Sequence, residues 1–157
     1  MATIIDGVPP ASGLRVAIVV SKYHDFVTER LETGALAALA DAGIPSGAVT
    51  VVRVPGAFEI PVAAGRAAST GRFDAIVCLG CLIRGATPHF DYIASAVSHG
   101  LTAAAAASGV PMAFGVLTTN SVEEAIERAG EDKSNKGWEA AAAAVETATV
   151  IARLRGV

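Results

Sequence analysis

Four short apolar runs divide the chain, and each is followed by a stretch with helical spacing. Residues 14–20, Val49–Val54, residues 75–79 and residues 112–117 are almost unbroken in aliphatic side chains. Continuous apolar runs of that length are the pattern of parallel strands buried on both faces. Helices are predicted over about residues 25–42, ended by Gly43, and from Ala57 to about residue 70, after Pro55-Gly56 stops the second strand. Three more follow, over about residues 88–108, 122–129 and 138–155, the second capped from residues 118–121 and ended by Gly130. Residues 3–5 read as a short edge strand ahead of a loop over residues 7–13. The domain reading is therefore an N-terminal segment over residues 1–13 and one domain over residues 14–157. Strands alternating with helices predict an αβα sandwich, a parallel sheet joined by right-handed crossovers.

The third strand leads into Gly80-Cys81-Leu82-Ile83-Arg84-Gly85-Ala86-Thr87-Pro88-His89-Phe90-Asp91, around which the rest is organised. Gly80 and Gly85 let the intervening backbone turn sharply or approach a ligand closely, Thr87 can cap the next helix, and Pro88 fits its first position. A helix start with free N–H donors binds anions. His89, in that first turn, either transfers protons beside a bound anion or merely bonds the loop backbone. The glycines have P-loop spacing, but no Lys-Ser/Thr follows.

In such sheets ligands bind beyond the carboxyl ends of the strands. Tyr23, Phe58, Glu59, residues 81–89 and Phe114 are all expected there. Taken singly, Tyr23 is a half-buried tyrosine or a stacking face, Phe114 a core residue or a ring contact. Glu59 is a partner for the helix dipole or for ligand hydroxyls. Together they suggest a planar ring bound beside a phosphate.

Composition narrows the picture. A chain of 157 residues with net charge −3 gives no electrostatic case for nucleic acid or an anionic membrane. Only 17% of residues are charged while 52% are hydrophobic, which predicts that apolar surface is buried between subunits. The uncharged stretch over residues 92–122 is long enough to span a bilayer, but Ser95, Ser98, His99, Thr102, Ser108, Gly109 and Pro111 interrupt it. With no basic, apolar leader at the start, a cytoplasmic protein is expected. Cys78-Leu79-Gly80-Cys81 spells C-x-x-C, but on an extended strand the two thiols lie roughly 10 Å apart, so two buried thiols are expected, not a redox pair.

Several segments resemble the lumazine synthase family: residues 54–61 (VPGAFEIP), residues 80–92, residues 115–118 (GVLT), residues 127–130 (ERAG) and residues 135–137 (NKG). The resemblance runs from about residue 14 to residue 154, and its most specific part is Arg-Gly-x-Thr-x-His-Phe-Asp. It implies a flavodoxin-like αβα sandwich and the penultimate step of riboflavin biosynthesis. There, 5-amino-6-(D-ribitylamino)uracil condenses with 3,4-dihydroxy-2-butanone 4-phosphate to give 6,7-dimethyl-8-ribityllumazine, with loss of phosphate and water and without metal or cofactor.

By position, the resemblance implies that Tyr23 stacks on the pyrimidine, and that Ala57, Phe58 and Glu59 hold the ring and its ribityl chain with Cys81, Leu82, Ile83 and Phe114. Ala86, Thr87, Arg128 and Lys136 would bind the phosphate, and His89 would transfer protons. It further implies a pentamer whose Phe114, Arg128 and Lys136 serve a neighbour's site. A sixty-subunit shell and association with riboflavin synthase are features of some such assemblies. Tyr23 and His24 depart from the usual Phe or Trp and Asn, and residues 131–134 depart from the turn of capsid-forming members. A flavin- or nucleotide-binding module and a purely structural shell are the rival classes.

Overall fold

The computed structural model describes residues 1–8, 11 and 13–156. Its strands are β1 (Val16–Ser21), β2 (Val49–Val54), β3 (Ala75–Ile83) and β4 (Met112–Thr119). Its helices are α1 (Asp25–Asp41), α2 (Ile60–Ser69), α3 (His89–Ser108), α4 (Val122–Glu127) and α5 (Lys136–Leu154). The strands form one four-stranded parallel sheet in the order β2-β1-β3-β4. β1 is buried along its whole length and β3 over its first seven residues, as their unbroken apolar runs require. The outer strands β2 and β4 are partly exposed.

Each face of the sheet carries its own core. Val16, Ile18, Val20, Val77 and Leu79 pack against α1 and α5 through Leu31, Ala35, Ala141 and Val145. Ala17, Val19, Ile76 and Cys78 pack against α2 and α3 through Ile60, Ala64, Val97 and Leu101. From β1 the chain moves outward to β2 through α1 on the first face, then reverses past β1 to β3 through α2 on the second. Changing direction and face together keeps the crossovers one hand. This is the three-layer, flavodoxin-like sandwich expected above.

Three local expectations change. Residues 1–8 carry no strand, so the edge strand expected over residues 3–5 is not formed in the single chain, where nothing pairs with it. Instead Gly7 is buried against the backbone of Glu146, and Arg153 donates to the carbonyls of Asp6 and Val8.

Gly80 is also not part of a loop. β3 runs on through Gly80, Cys81 and Leu82 to Ile83, in register with Val116 to Thr119 of β4. The glycine there answers to packing: a Cβ would sit 3.1 Å from both Ile60 Cδ1 and Ser21 Oγ.

Finally, Pro88 rather than Thr87 occupies the N-cap position of α3, and no side chain caps that end. The start of α5 is capped where no cap was expected. Asn135 Oδ1 accepts from the N–H groups of Gly137 and Trp138 at 2.7 and 3.1 Å. Its Nδ2 donates to the carbonyls of Arg30 and Gly130, which satisfies this buried amide.

Candidate active site

The sheet reverses its winding between β1 and β3, which opens a crevice at the carboxyl rim. The ladder from β1 stops at the pair Val20↔Leu79, whereas β3 continues for four more residues paired only with β4. From Gly80 to Ile83 the edge of β3 that faces β1 therefore has no ladder partner. Its backbone donors and acceptors line the crevice, ready for a ligand with groups in one plane.

Cys81, Leu82 and Ile83 cannot all turn side chains to one ligand, because strand side chains alternate. Cys81 and Ile83 pack on the α1/α5 side and Leu82 on the α2/α3 side. Towards the crevice only Cys81 and Ile83 turn backbone groups, because Leu82, like Ile76 and Arg84 on the same side of the strand, turns its N–H and C=O to β4. Both cysteines are buried and free, and burial pushes the Cys78 thiol up to about 12 and that of Cys81 up to about 11.

Two aromatic rings stand over the crevice. The chain leaves β1 with the Lys22 and Tyr23 N–H groups bonded to the carbonyls of Val54 and Pro55, at 2.8 and 3.0 Å. That fixes Tyr23 beside the Ala57–Glu59 3₁₀ turn that follows β2. Tyr23 is 68% exposed and Phe58 61%, so both present open ring faces, while Ala57 is buried. Glu59 Oε1 accepts from the Gly56 N–H at 2.9 Å, which holds the turn. One carboxylate oxygen thus serves the backbone, and Oε2 has no partner among the described residues.

His24 is the only described non-glycine residue with positive φ, at 63°, a conformation that Asn adopts more readily. Its ring meets Tyr23 edge-on at 4.4 Å, and burial holds its imidazole below the ordinary value. Tyr23 is thereby held from one side.

At the start of α3 the Asp91 and Tyr92 N–H groups turn back to the Pro88 carbonyl, at 3.0 and 3.3 Å. The N–H groups of Ala86, Thr87, His89 and Phe90 have no intramolecular partner among the described residues. This is a cluster of free donors at the positive end of a twenty-residue helix. The His89 imidazole is exposed there and makes no hydrogen bond among the described residues.

Phe114, Arg128 and Lys136 lie elsewhere. Phe114 was expected at the carboxyl rim, but it is the third residue of β4 and pairs with Cys78. Thr119 at the strand's end lies five positions further on, about 16 Å along β4. It lines a cleft of about 360 Å³ on the outer edge of β4 with Thr118, Arg128, Lys136 and Glu139. The Lys136 N–H donates to the Arg128 carbonyl at 2.8 Å, which sets the two cations side by side. The Arg128 guanidinium donates to the Glu124 carbonyl at 3.0 Å, and Lys136 Nζ pairs with Glu139 at 2.8 Å.

The structure therefore gathers two groups. Tyr23, Ala57, Phe58, Glu59, the β3 edge, Ala86, Thr87 and His89 meet at the rim, while Phe114, Arg128 and Lys136 meet on the flank. Sequence reasoning passed over Arg84, which sits over the Phe90 ring at 4.5 Å and joins the loop before α3 to the end of β4.

Among the described residues no helix is long and apolar enough to cross a membrane. Residues 13–152 match the sequence model of the 6,7-dimethyl-8-ribityllumazine synthase family.

Proposed function

Since the chain belongs to the 6,7-dimethyl-8-ribityllumazine synthase family, an enzyme family of riboflavin biosynthesis, we propose that it condenses 5-amino-6-(D-ribitylamino)uracil with 3,4-dihydroxy-2-butanone 4-phosphate. The observation that carries this reading is the meeting, at one rim, of exposed rings, an unpaired strand edge and a free helix start bearing His89.

In this reading Tyr23 and Phe58 stack on the pyrimidine, the backbone of Cys81 and Ile83 bonds its in-plane amide groups, and Leu82 contributes packing on the α2/α3 side. Glu59 Oε2 accepts from ribityl hydroxyls. The phosphate takes the N–H groups of Ala86 and Thr87. His89 relays the proton when the 5-amino group attacks the ketone and water leaves to form an imine. It then removes the proton from the carbon between the imine and the phosphate-bearing carbon, so that phosphate departs as an enol forms. After tautomerisation, the ribitylamino nitrogen closes on the new carbonyl and the second water leaves.

A single chain keeps Arg128, Lys136 and Phe114 away from this rim. They complete the site when the flank of one copy meets the rim of the next, a heterologous contact that closes into a ring, here read as a pentamer. The exposed apolar side chains Val62, Tyr92, Val122 and Ile126 support such burial.

Mixing the two substrates should give lumazine absorbance and an equal amount of inorganic phosphate, with many turnovers per chain. Binding of the pyrimidine one-to-one without phosphate release would instead identify a binding module. A charge-assisted hydrogen bond contributes roughly 1.5–3 kcal/mol. Arg128→Ala should therefore raise the KM for the butanone phosphate by about 10- to 150-fold, with pyrimidine affinity nearly unchanged. Equal weakening of both substrates would remove Arg128 from the phosphate site.

A further inference from the structure

The anion site at the start of α3 contains an apparent contradiction. Asp91 stands in the first turn of that helix, where a carboxylate favours the helix but opposes any anion bound at the same end. Arg84 resolves it. Its Nη1 donates to Asp91 Oδ2 at 3.3 Å, and Nη2 lies 3.2 Å from Asp91 Oδ1, a two-point grip on one carboxylate. The remaining donor, Nε, reaches Asn120 Oδ1 at 3.2 Å, just beyond β4. The Arg84 N–H donates to the Thr119 carbonyl at 2.8 Å, and the guanidinium covers the buried Phe90 ring. One residue thus ties the last strand residue, the first turn of α3 and the end of β4 together.

We propose that Arg84 is a positioning residue for phosphate binding: its two-point grip on Asp91 offsets that carboxylate's charge and keeps it turned from the free N–H groups that take the anion. This inference rests on the reading that the α3 start takes the phosphate. Arg84 and Asp91 are both about half exposed, so their pairing adds little to folding. Its consequence falls on the bound anion instead, which sits close to both charges.

Four forms of the assembled protein decide the matter: wild type, Arg84→Ala, Asp91→Asn and the double variant. Each is titrated with inorganic phosphate and, separately, with the pyrimidine. An uncompensated carboxylate near the anion should weaken phosphate binding about tenfold in Arg84→Ala, with pyrimidine affinity and unfolding temperature nearly unchanged. Removing the opposing charge in Arg84→Ala/Asp91→Asn should recover most of that loss, and Asp91→Asn alone should bind phosphate at least as well as wild type. A structural role alone predicts no recovery in the double variant, and that result would overturn the inference. So would wild-type phosphate affinity in Arg84→Ala, or an equal loss for the pyrimidine. Failure of the wild type itself to bind phosphate would overturn the phosphate reading and this inference together.

Discussion

Replacing His89 with alanine is expected to lower turnover by about 10²–10⁴-fold, the contribution of one positioned acid–base group. The side chain is exposed at the start of α3 and has no hydrogen-bond partner among the described residues, so folding and assembly should be unaffected. Both substrates should still bind, because the rings, the β3 edge and the helix N–H groups remain. Any uncatalysed condensation of the two reactants is subtracted by running the reaction without protein. A corrected kcat equal to that of wild type would exclude His89 from proton transfer.

The largest effect on stability is expected at Gly137. This residue is buried in the first turn of α5, where α5 crosses α1. A Cβ there would lie 2.7 Å from the Leu31 carbonyl carbon and 2.8 Å from its Cα, closer still to the carbonyl oxygen. These are backbone atoms inside a helix and cannot swing away, so the two helices must separate. Overpacking of this kind costs about 3 kcal/mol or more, which for a domain of this size lowers Tm by about 6–12 °C. Gly47→Ala is the control, since a Cβ there meets nothing within 4 Å. Gly137→Ala with the Tm of that control would mean that the α1–α5 contact is looser than described. The site would suffer as well, because the same turn carries Lys136 and aligns it with Arg128.

Much of this was legible in the sequence, for identifiable reasons. Strands in the middle of a parallel sheet meet apolar layers on both faces, so residues 16–20 and 75–79 declare themselves by composition alone. The place of His89 at a helix start was legible because the signals for that start are local. Gly80 was misread because a glycine pair spaced like a phosphate loop and a glycine needed for close packing look the same along the chain. Only Ile60, Ser21 and Val116, all distant in sequence, reveal which it is. The grip of Arg84 on Asn120 was hidden for the same reason, since it depends on β3 lying beside β4. Asn135 carried a signal that was passed over: an Asn immediately before a helical stretch is a common N-cap. Phe114 was misplaced by treating every strand as if it ended at the same level, when its register puts it opposite Cys78.

In the proposed ring, the rim of one chain and the flank of the next form one site. This is tested by mixing two impaired chains and assaying them at butanone phosphate far below the KM of Arg128→Ala. His89→Ala leaves the flank intact, and Arg128→Ala leaves the rim intact. Unfolded together in equal amounts and reassembled at random, they should give about a quarter of sites with both residues in place. Activity is then expected to rise well above the average of the two variants reassembled separately. If mass spectrometry shows mixed assemblies and activity stays at that average, His89 and Arg128 belong to the same chain's site, and the shared-site account is wrong.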